Sequence, residues 1–268
     1  MKRLWQLSET ELLSGRLTMA RCPRCGGSGS YRQTVLSYDD DLQERETEQI
    51  VTCDCPRRPA ELLAQANLPA VRFGGLTLAD LDWDAIRPSE AVTGIRDYAE
   101  HLEEWLEEGM GLVLYGAVGT GKTHLAVGLC KLACGLGIEA LFLTMSQLLN
   151  RLKATYNSQG NGSKQEIEVL NELTNVSLLV LDDLGAENPS AWARDRIYDL
   201  VNRRYLAGRP LIVTTNHGPQ ALAEALSERA VSRLWGTSLR VRLQGNDYRE
   251  RIRRQKLRRV RSRRKVKT

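Results

Sequence analysis

Short apolar runs at residues 112–115, 140–143, 178–181 and 211–213 divide the chain at regular intervals. Each is too short for a helix and nearly continuous in Val, Leu and Ile, the pattern of a parallel strand buried on both faces. Residues 239–243 predict a fifth strand. Between them, apolar positions recur at helical spacing over 123–136, 146–156, 164–173 and 192–206, and in a segment near 228–234. Alternating strands and helices imply an α/β fold, a parallel sheet with helices on both faces. Upstream, residues 92–108 read as one amphipathic helix stopped by Gly109. The polar, glycine-rich stretch 157–163 predicts a loop. No internal repeat is visible.

Composition divides the 268 residues further. Residues 1–58 hold four of the six cysteines and form one region. Residues 59–109, punctuated by Pro59 and Pro69, read as a helical connector, and 110–248 hold the strand–helix alternation. The final stretch, 249–268, carries 12 Lys or Arg against one Glu, so the preceding 248 residues sum to −6 although the whole chain is +5. A tail this basic suits phosphate-rich partners, with a solvated, non-binding end as the bland alternative. No apolar stretch reaches the length of a transmembrane helix, and the first residues lack a signal-peptide core, so a cytoplasmic location is expected.

The candidate chemistry centres on Gly116-Ala117-Val118-Gly119-Thr120-Gly121-Lys122-Thr123, a full match to G-x-x-x-x-G-K-S/T. Glycines let successive backbone N–H groups turn toward phosphate oxygens, and the following helix adds its N-terminus. Lys122 supplies a mobile cation for the β- and γ-phosphates, and the Thr123 hydroxyl can hold Mg²⁺. His124 completes the nucleotide-contacting stretch by position. Asp182 and Asp183 end the strand at 178–181, at the edge where open α/β sheets bind ligands. Asp182 is the expected Mg²⁺ partner and Asp183 a general base toward water. Asn216, ending the next strand, can hold the lytic water or the γ-phosphate. Arg229 and Arg233 lie four apart on one helix face, from which an arginine can reach a neighbouring subunit's γ-phosphate.

Cys22 and Cys25 form a C-x-x-C knuckle followed by glycines, and Cys53 and Cys55 can complete a tetrahedral zinc site. Free thiols or a redox pair are the alternatives. The segment between the halves reads as a small hairpin. Cys130 and Cys134, four apart on the helix after the glycine loop, read as small core residues.

Taken together, the loop, Asp182-Asp183-Leu184-Gly185-Ala186-Glu187, Asn202-Arg203-Arg204-Tyr205, Thr214-Thr215-Asn216 and Ser232-Arg233-Leu234 resemble the AAA+ ATPases of the DnaC/DnaI/IstB group over about 72–248. The resemblance implies a three-layer αβα sandwich with sheet order 5-1-4-3-2. It implies Walker A at 116–123, Walker B at Asp182 and Asp183, sensor 1 at Asn216 and an arginine finger at Arg233. It further implies ATP, Mg²⁺, self-association through ATP at subunit interfaces, single-stranded DNA, and a replicative hexameric helicase as partner. An N-terminal zinc module resembles the DnaI type of loader, where it contacts the helicase. IstB-type transposition helpers typically lack it, and remain the rival reading beside an ATP-switched, non-catalytic adaptor. Two departures favour a slow switch: Asp183 stands where most AAA+ proteins have Glu, and the helical lid looks absent, with Arg249 as a stand-in for its sensor 2 arginine.

Overall fold

The computed structural model describes residues 3–13, 30–38, 44–52, 59–156, 162–185, 189–245, 247–250 and 253. In chain order the elements are α1 (Glu9–Leu13), the hairpin strands β1 (Ser30–Tyr38) and β2 (Glu44–Thr52), then α2 (Pro59–Gln65), α3 (Ala70–Phe73), α4 (Ser89–Glu100) and α5 (Leu102–Glu107). The alternating region follows as β3 (Gly111–Gly116), α6 (Lys122–Gly135), β4 (Ala140–Thr144), α7 (Met145–Tyr156) and α8 (Gly162–Asn175). It closes with β5 (Leu178–Asp182), α9 (Ala191–Leu206), β6 (Leu211–Thr215), α10 (Pro219–Ala225), α11 (Glu228–Gly236) and β7 (Ser238–Leu243).

The five later strands form one parallel sheet in the order β4-β5-β6-β3-β7. Numbered among themselves, that is the expected 5-1-4-3-2. Alternate side chains enter two separate cores, as a pleated sheet requires. Leu112, Leu114, Leu178, Val180 and Ile212 pack with α6, α4 and α2 on one face. Val113, Leu179, Leu181 and Val213 pack with α7 to α11 on the other. This is a three-layer sandwich. The strand β3 lies between β6 and β7, so the loop that leaves it sits inside the sheet's edge row rather than at its margin.

Helix α6 is buried almost throughout because further chain covers its outer side. The Leu78 side chain fills the place of a missing Cβ at Gly128, and Leu12 approaches Gly135 in the same way. Lys131, buried on α6, donates to Glu9 Oε1 at 2.8 Å, to the Phe73 carbonyl at 3.1 Å and to the Gly74 carbonyl. The Arg96 guanidinium lies against both the Trp5 and Trp83 rings, 4.2 and 4.8 Å from their centroids. The first described residues, assigned from sequence to an N-terminal module, therefore pack on the α/β core. The 59–109 stretch shares that same apolar cluster through Leu62, Trp83, Ile95 and Leu102. Cys130 and Cys134 are buried core residues with free thiols, and the hydrogen bond with Cys134, together with burial, pushes the Cys130 thiol up.

Two local features depart from expectation. The single helix foreseen over 92–108 breaks at His101 (φ −111°, ψ 30°) into α4 and α5. The break turns Leu102 fully inward and stacks Trp105 on Tyr98 at 5.7 Å. Helix α10 was not foreseen; it starts on Pro219, whose fixed φ suits a first helical position. The hairpin between the cysteine pairs does form, antiparallel from Ser30↔Thr52 to Tyr38↔Glu44. Cys22, Cys25, Cys53 and Cys55 lie outside the described residues, as does nearly all of the basic tail. Among the described residues, no helix is long and apolar enough to cross a membrane.

Candidate nucleotide site

Between β3 and α6 the chain turns on glycines at φ 137° (Gly116), 80° (Gly119) and 95° (Gly121). These are conformations that L side chains avoid. At Gly116 there is also no room, since an added Cβ would lie 2.0 Å from the Leu243 carbonyl oxygen of the adjacent strand. The turn is pinned by the Thr120 hydroxyl, which donates to the Ala117 carbonyl at 2.9 Å. Ala117 and Val118 are exposed at the rim. Lys122, the first residue of α6, folds back over the loop and donates to the Gly116 and Ala117 carbonyls at 2.8 and 2.7 Å. Burial lowers its pKa, while Asp183 and Asp182 pull the other way. Arg249 adds a repulsive cation from the far end of the chain.

Three hydroxyl and carboxylate groups meet beside this loop. The Thr123 hydroxyl donates to Asp182 at 3.0 Å (Oδ1) and 3.2 Å (Oδ2). Thr214 donates to Asp182 Oδ1 at 2.6 Å and accepts the Asp183 N–H at 2.9 Å. Asp182 is 5% exposed, and burial raises its pKa above the ordinary carboxylate value, the two threonine hydroxyls offsetting part of the rise. A hydroxyl and a carboxylate converging this closely are the donor set of a hard divalent cation. Asp183 is exposed, in the left-handed region at φ 63°, an uncommon backbone for a non-glycine residue. Its Oδ1 lies 3.4 Å from Asn216 Nδ2. The Leu184 N–H donates to the Thr214 carbonyl and the Thr215 hydroxyl to the Leu184 carbonyl, so the two strand ends are locked together.

The structure thus brings Lys122, Thr123, Asp182, Asp183 and Asn216 to one edge of the sheet. His124 continues the loop, but its imidazole turns to the Thr77 carbonyl at 3.1 Å. Arg233 does not join them. Its guanidinium lies against α9, on the opposite face of the sheet from α6, and its helix leads to Thr237, whose carbonyl accepts from Gly111 at the start of β3. Sequence reasoning passed over Thr214, although it stands two residues before Asn216. It noticed Arg249 without a location: the segment 247–250 lies on the loop, where the Tyr248 N–H donates to the Gly119 carbonyl at 2.9 Å and Asp247 fills the space beside Gly119.

A glycine-turned loop between a central strand and a buried helix, on a 5-1-4-3-2 parallel sheet with an acidic strand end alongside, defines a P-loop α/β fold of AAA+ type. A family model described as IstB-like ATP binding protein matches residues 28–256, and the chain belongs to that family. The replicative helicase loader DnaC of Escherichia coli K12 is 31% identical over 154 residues, covering 57% of this chain and 62% of that protein's length. An ATP-binding protein in an insertion sequence of Mycobacterium tuberculosis is 30% identical over 186 residues, covering 66% and 69%. Among solved structures, the crystal structure of the DnaC helicase loader aligns with a TM-score of 0.51 at 30% identity, over 58% of this chain and 89% of that one. DnaI aligns with a TM-score of 0.52 at 24% identity over 69% and 94%, a likeness of fold.

Proposed function

We propose that this protein is an ATP-hydrolysing switch that loads a replicative DNA helicase onto single-stranded DNA. The observation that carries the ATPase reading is the convergence of Thr123, Asp182 and Thr214, because it joins the phosphate loop to the acidic strand end. Thr123 and Asp182 would hold Mg²⁺, and the glycine loop would face the phosphates. A bound Mg²⁺–ATP supplies the reactive anhydride and much of the charge neutralisation. Lys122 exchanges its two loop carbonyls for β- and γ-phosphate oxygens. Asp183, held out by its left-handed backbone and steadied by Asn216, orients water and accepts its proton. Its short arm favours slow turnover. Because Arg233 faces away from its own loop, it acts on the site of a neighbouring copy, and self-association completes the enzyme. Arg249 stands by the loop as the residue that senses the nucleotide from the C-terminal side.

The zinc module belongs to the same proposal. The hairpin register sets Ser30 opposite Thr52, so the chain enters and leaves the hairpin at one end. Cys53 directly follows Thr52 and Cys25 lies five residues before Ser30, which supports one shared Cys22–Cys25–Cys53–Cys55 site. Zinc at one equivalent per chain in the purified protein, lost in Cys22→Ser/Cys25→Ser, is the expected result. The basic tail is proposed to contact single-stranded DNA phosphates. Deleting 249–268 should then flatten the salt dependence of binding, by about 0.7 in log K per log salt for each phosphate released.

A second reading has its own support. The family model is IstB-like, and the insertion-sequence relative aligns over more of its length than DnaC does. Native mass spectrometry with the host's replicative helicase, with and without ATP, separates the two. A defined complex that disappears in Cys22→Ser/Cys25→Ser supports the loader. Absence of any complex, with capture of the transposase encoded beside an insertion sequence, moves the function to transposition.

A further inference from the structure

Arg233 is held in an unusual way for a charged side chain. Its guanidinium carbon lies 5.3 Å from the centre of the Tyr198 ring and 5.7 Å from that of Tyr205, both on α9. Seven residues is two helical turns, so the two rings stand on one face of α9, about 10 Å apart along its axis. The guanidinium sits between them. Among the described residues no carboxylate lies within ion-pair distance of it. Among the described residues its side chain makes one hydrogen bond, a long one of 3.3 Å from a terminal nitrogen to the Arg229 carbonyl one turn back, and its buried Nε has no partner. The neighbouring Arg203, by contrast, is paired with Asp199 at 3.0 Å. Beside the clamp is an open depression of about 420 Å³ lined by Tyr205, Glu228, Arg229, Ser232 and Arg233.

We propose that Tyr198 and Tyr205 are positioning residues for Arg233, an aromatic clamp that fixes the guanidinium at the rim of this depression for the γ-phosphate of a neighbouring copy. This rests on the reading of Arg233 given above. The chemistry favours aromatic faces over a carboxylate for that task. A ring face attracts the cation through its quadrupole and restricts its rotamers without consuming the N–H donors. A carboxylate would take those same donors in a bidentate pair and would have to be displaced by phosphate. Tyr205 is 47% exposed, so the outer jaw of the clamp stands at the surface where a second copy would arrive.

The test uses the full-length protein with single-stranded DNA, measuring kcat and KM for ATP alongside nucleotide binding by each variant. Tyr198→Leu/Tyr205→Leu should lower kcat at least fivefold with ATP affinity within twofold of the parent. Tyr198→Phe/Tyr205→Phe, which keeps both ring faces, should recover most of the turnover. Mixing the Leu double variant with Lys122→Ala protein should restore activity, because the Lys122→Ala copy carries an intact arginine face and the Leu variant an intact loop. A merely structural loss would not be complemented in this way. Full kcat in the Leu double variant, equal loss in the Phe variant, or no recovery on mixing would each overturn the clamp. Arg233→Ala with undiminished turnover would instead remove the arginine itself from the mechanism, whatever the tyrosines do.

Discussion

Arg204 offers the sharpest energetic prediction. It is the largest fully buried side chain of the described residues, at 0% exposure, and it has no acidic partner among them. Five carbonyls surround it instead. Nη1 donates to Leu173 (2.7 Å), Val176 (2.9 Å) and Thr174 (3.2 Å), and Nη2 to Pro210 (2.6 Å) and Ser177 (3.4 Å). Burial, with Arg209 nearby, pushes the group down to about 9, so it is still a cation at neutral pH. Three of the bonds are shorter than 3.0 Å. Hydrogen bonds from a charged donor contribute about 1.5 kcal/mol each at the low end, or about 4.5 kcal/mol for three. Arg204→Met removes them and also relieves the cost of burying the charge, which leaves a net loss of about 3 kcal/mol. For a domain of this size that is about 9 °C in melting temperature. The assay is urea unfolding followed by circular dichroism, with the slope checked for constancy. Arg204→Lys, which can keep the charge and some of the carbonyls, should lose about half as much. A loss below about 1 kcal/mol in Arg204→Met would refute the reasoning, because the five carbonyls would then be satisfied without the guanidinium. The position matters for function too: residues 173–177 lead into β5 and Pro210 into β6, the strands that carry Asp182, Asp183 and Asn216.

Substitutions at three further positions have expected outcomes. Asp182→Asn should melt higher than the parent at pH 7 yet lose Mg²⁺-dependent hydrolysis by about 100-fold or more. The sign follows from its raised pKa: ionising Asp182 in the folded protein is costlier than in the unfolded chain, so that cost is absent below the unfolded value of 3.8 and accumulates as pH rises through the folded one. By the same linkage, Mg²⁺–ATP affinity in the parent should weaken as pH falls toward the acid range and be flat in the variant, readable by calorimetry. Lys122→Ala should reduce ATP affinity by about tenfold or more while leaving the fold intact, since the amine is bonded only to loop carbonyls; fluorescent-nucleotide titration checks this. Gly119→Ala combines a left-handed φ of 80° with a Cβ 2.8 Å from the Asp247 Cα, backbone that cannot rotate away. It should expel the 247–250 segment and raise its protease sensitivity, and unchanged cleavage there would show that the segment does not depend on the loop.

Much of the sheet was legible because its strands are buried on both faces and so read as unbroken apolar runs. Leu178-Leu179-Val180-Leu181 is all apolar for that reason, with alternate residues entering different cores. What escaped depends on contacts between distant parts of the chain. The break at His101 has neither proline nor glycine to announce it; it follows from the inward turn of Leu102. The docking of residues 3–13 depends on Arg96 meeting both Trp5 and Trp83, and on Lys131 meeting Glu9. In sequence those groups are a scattered set of polar and aromatic residues with no shared period.

The site divides along the same line. The glycine loop and the paired aspartates are local signals, each contained within eight residues. Thr214 becomes visible only through pairing, since Leu181 lies opposite Val213 across β5 and β6 and the next residues are therefore Asp182 and Thr214. With the 5-1-4-3-2 order in hand, that hydroxyl could have been placed against the carboxylate from sequence alone. The contact of 247–250 with Gly119 has a deeper consequence. The unit formed by β3, the loop and α6 is touched by chain from both directions, by Glu9 and Leu12 on α6 and by Asp247 and Tyr248 on the loop. The two contacts tie the loop–helix unit to segments on either side of it in the chain. In sequence, the cysteine-bearing region follows the first of these anchors and the basic tail follows the second. Coupling of this kind is reciprocal: whatever binds either flank in a nucleotide-dependent way must change nucleotide affinity by the same factor.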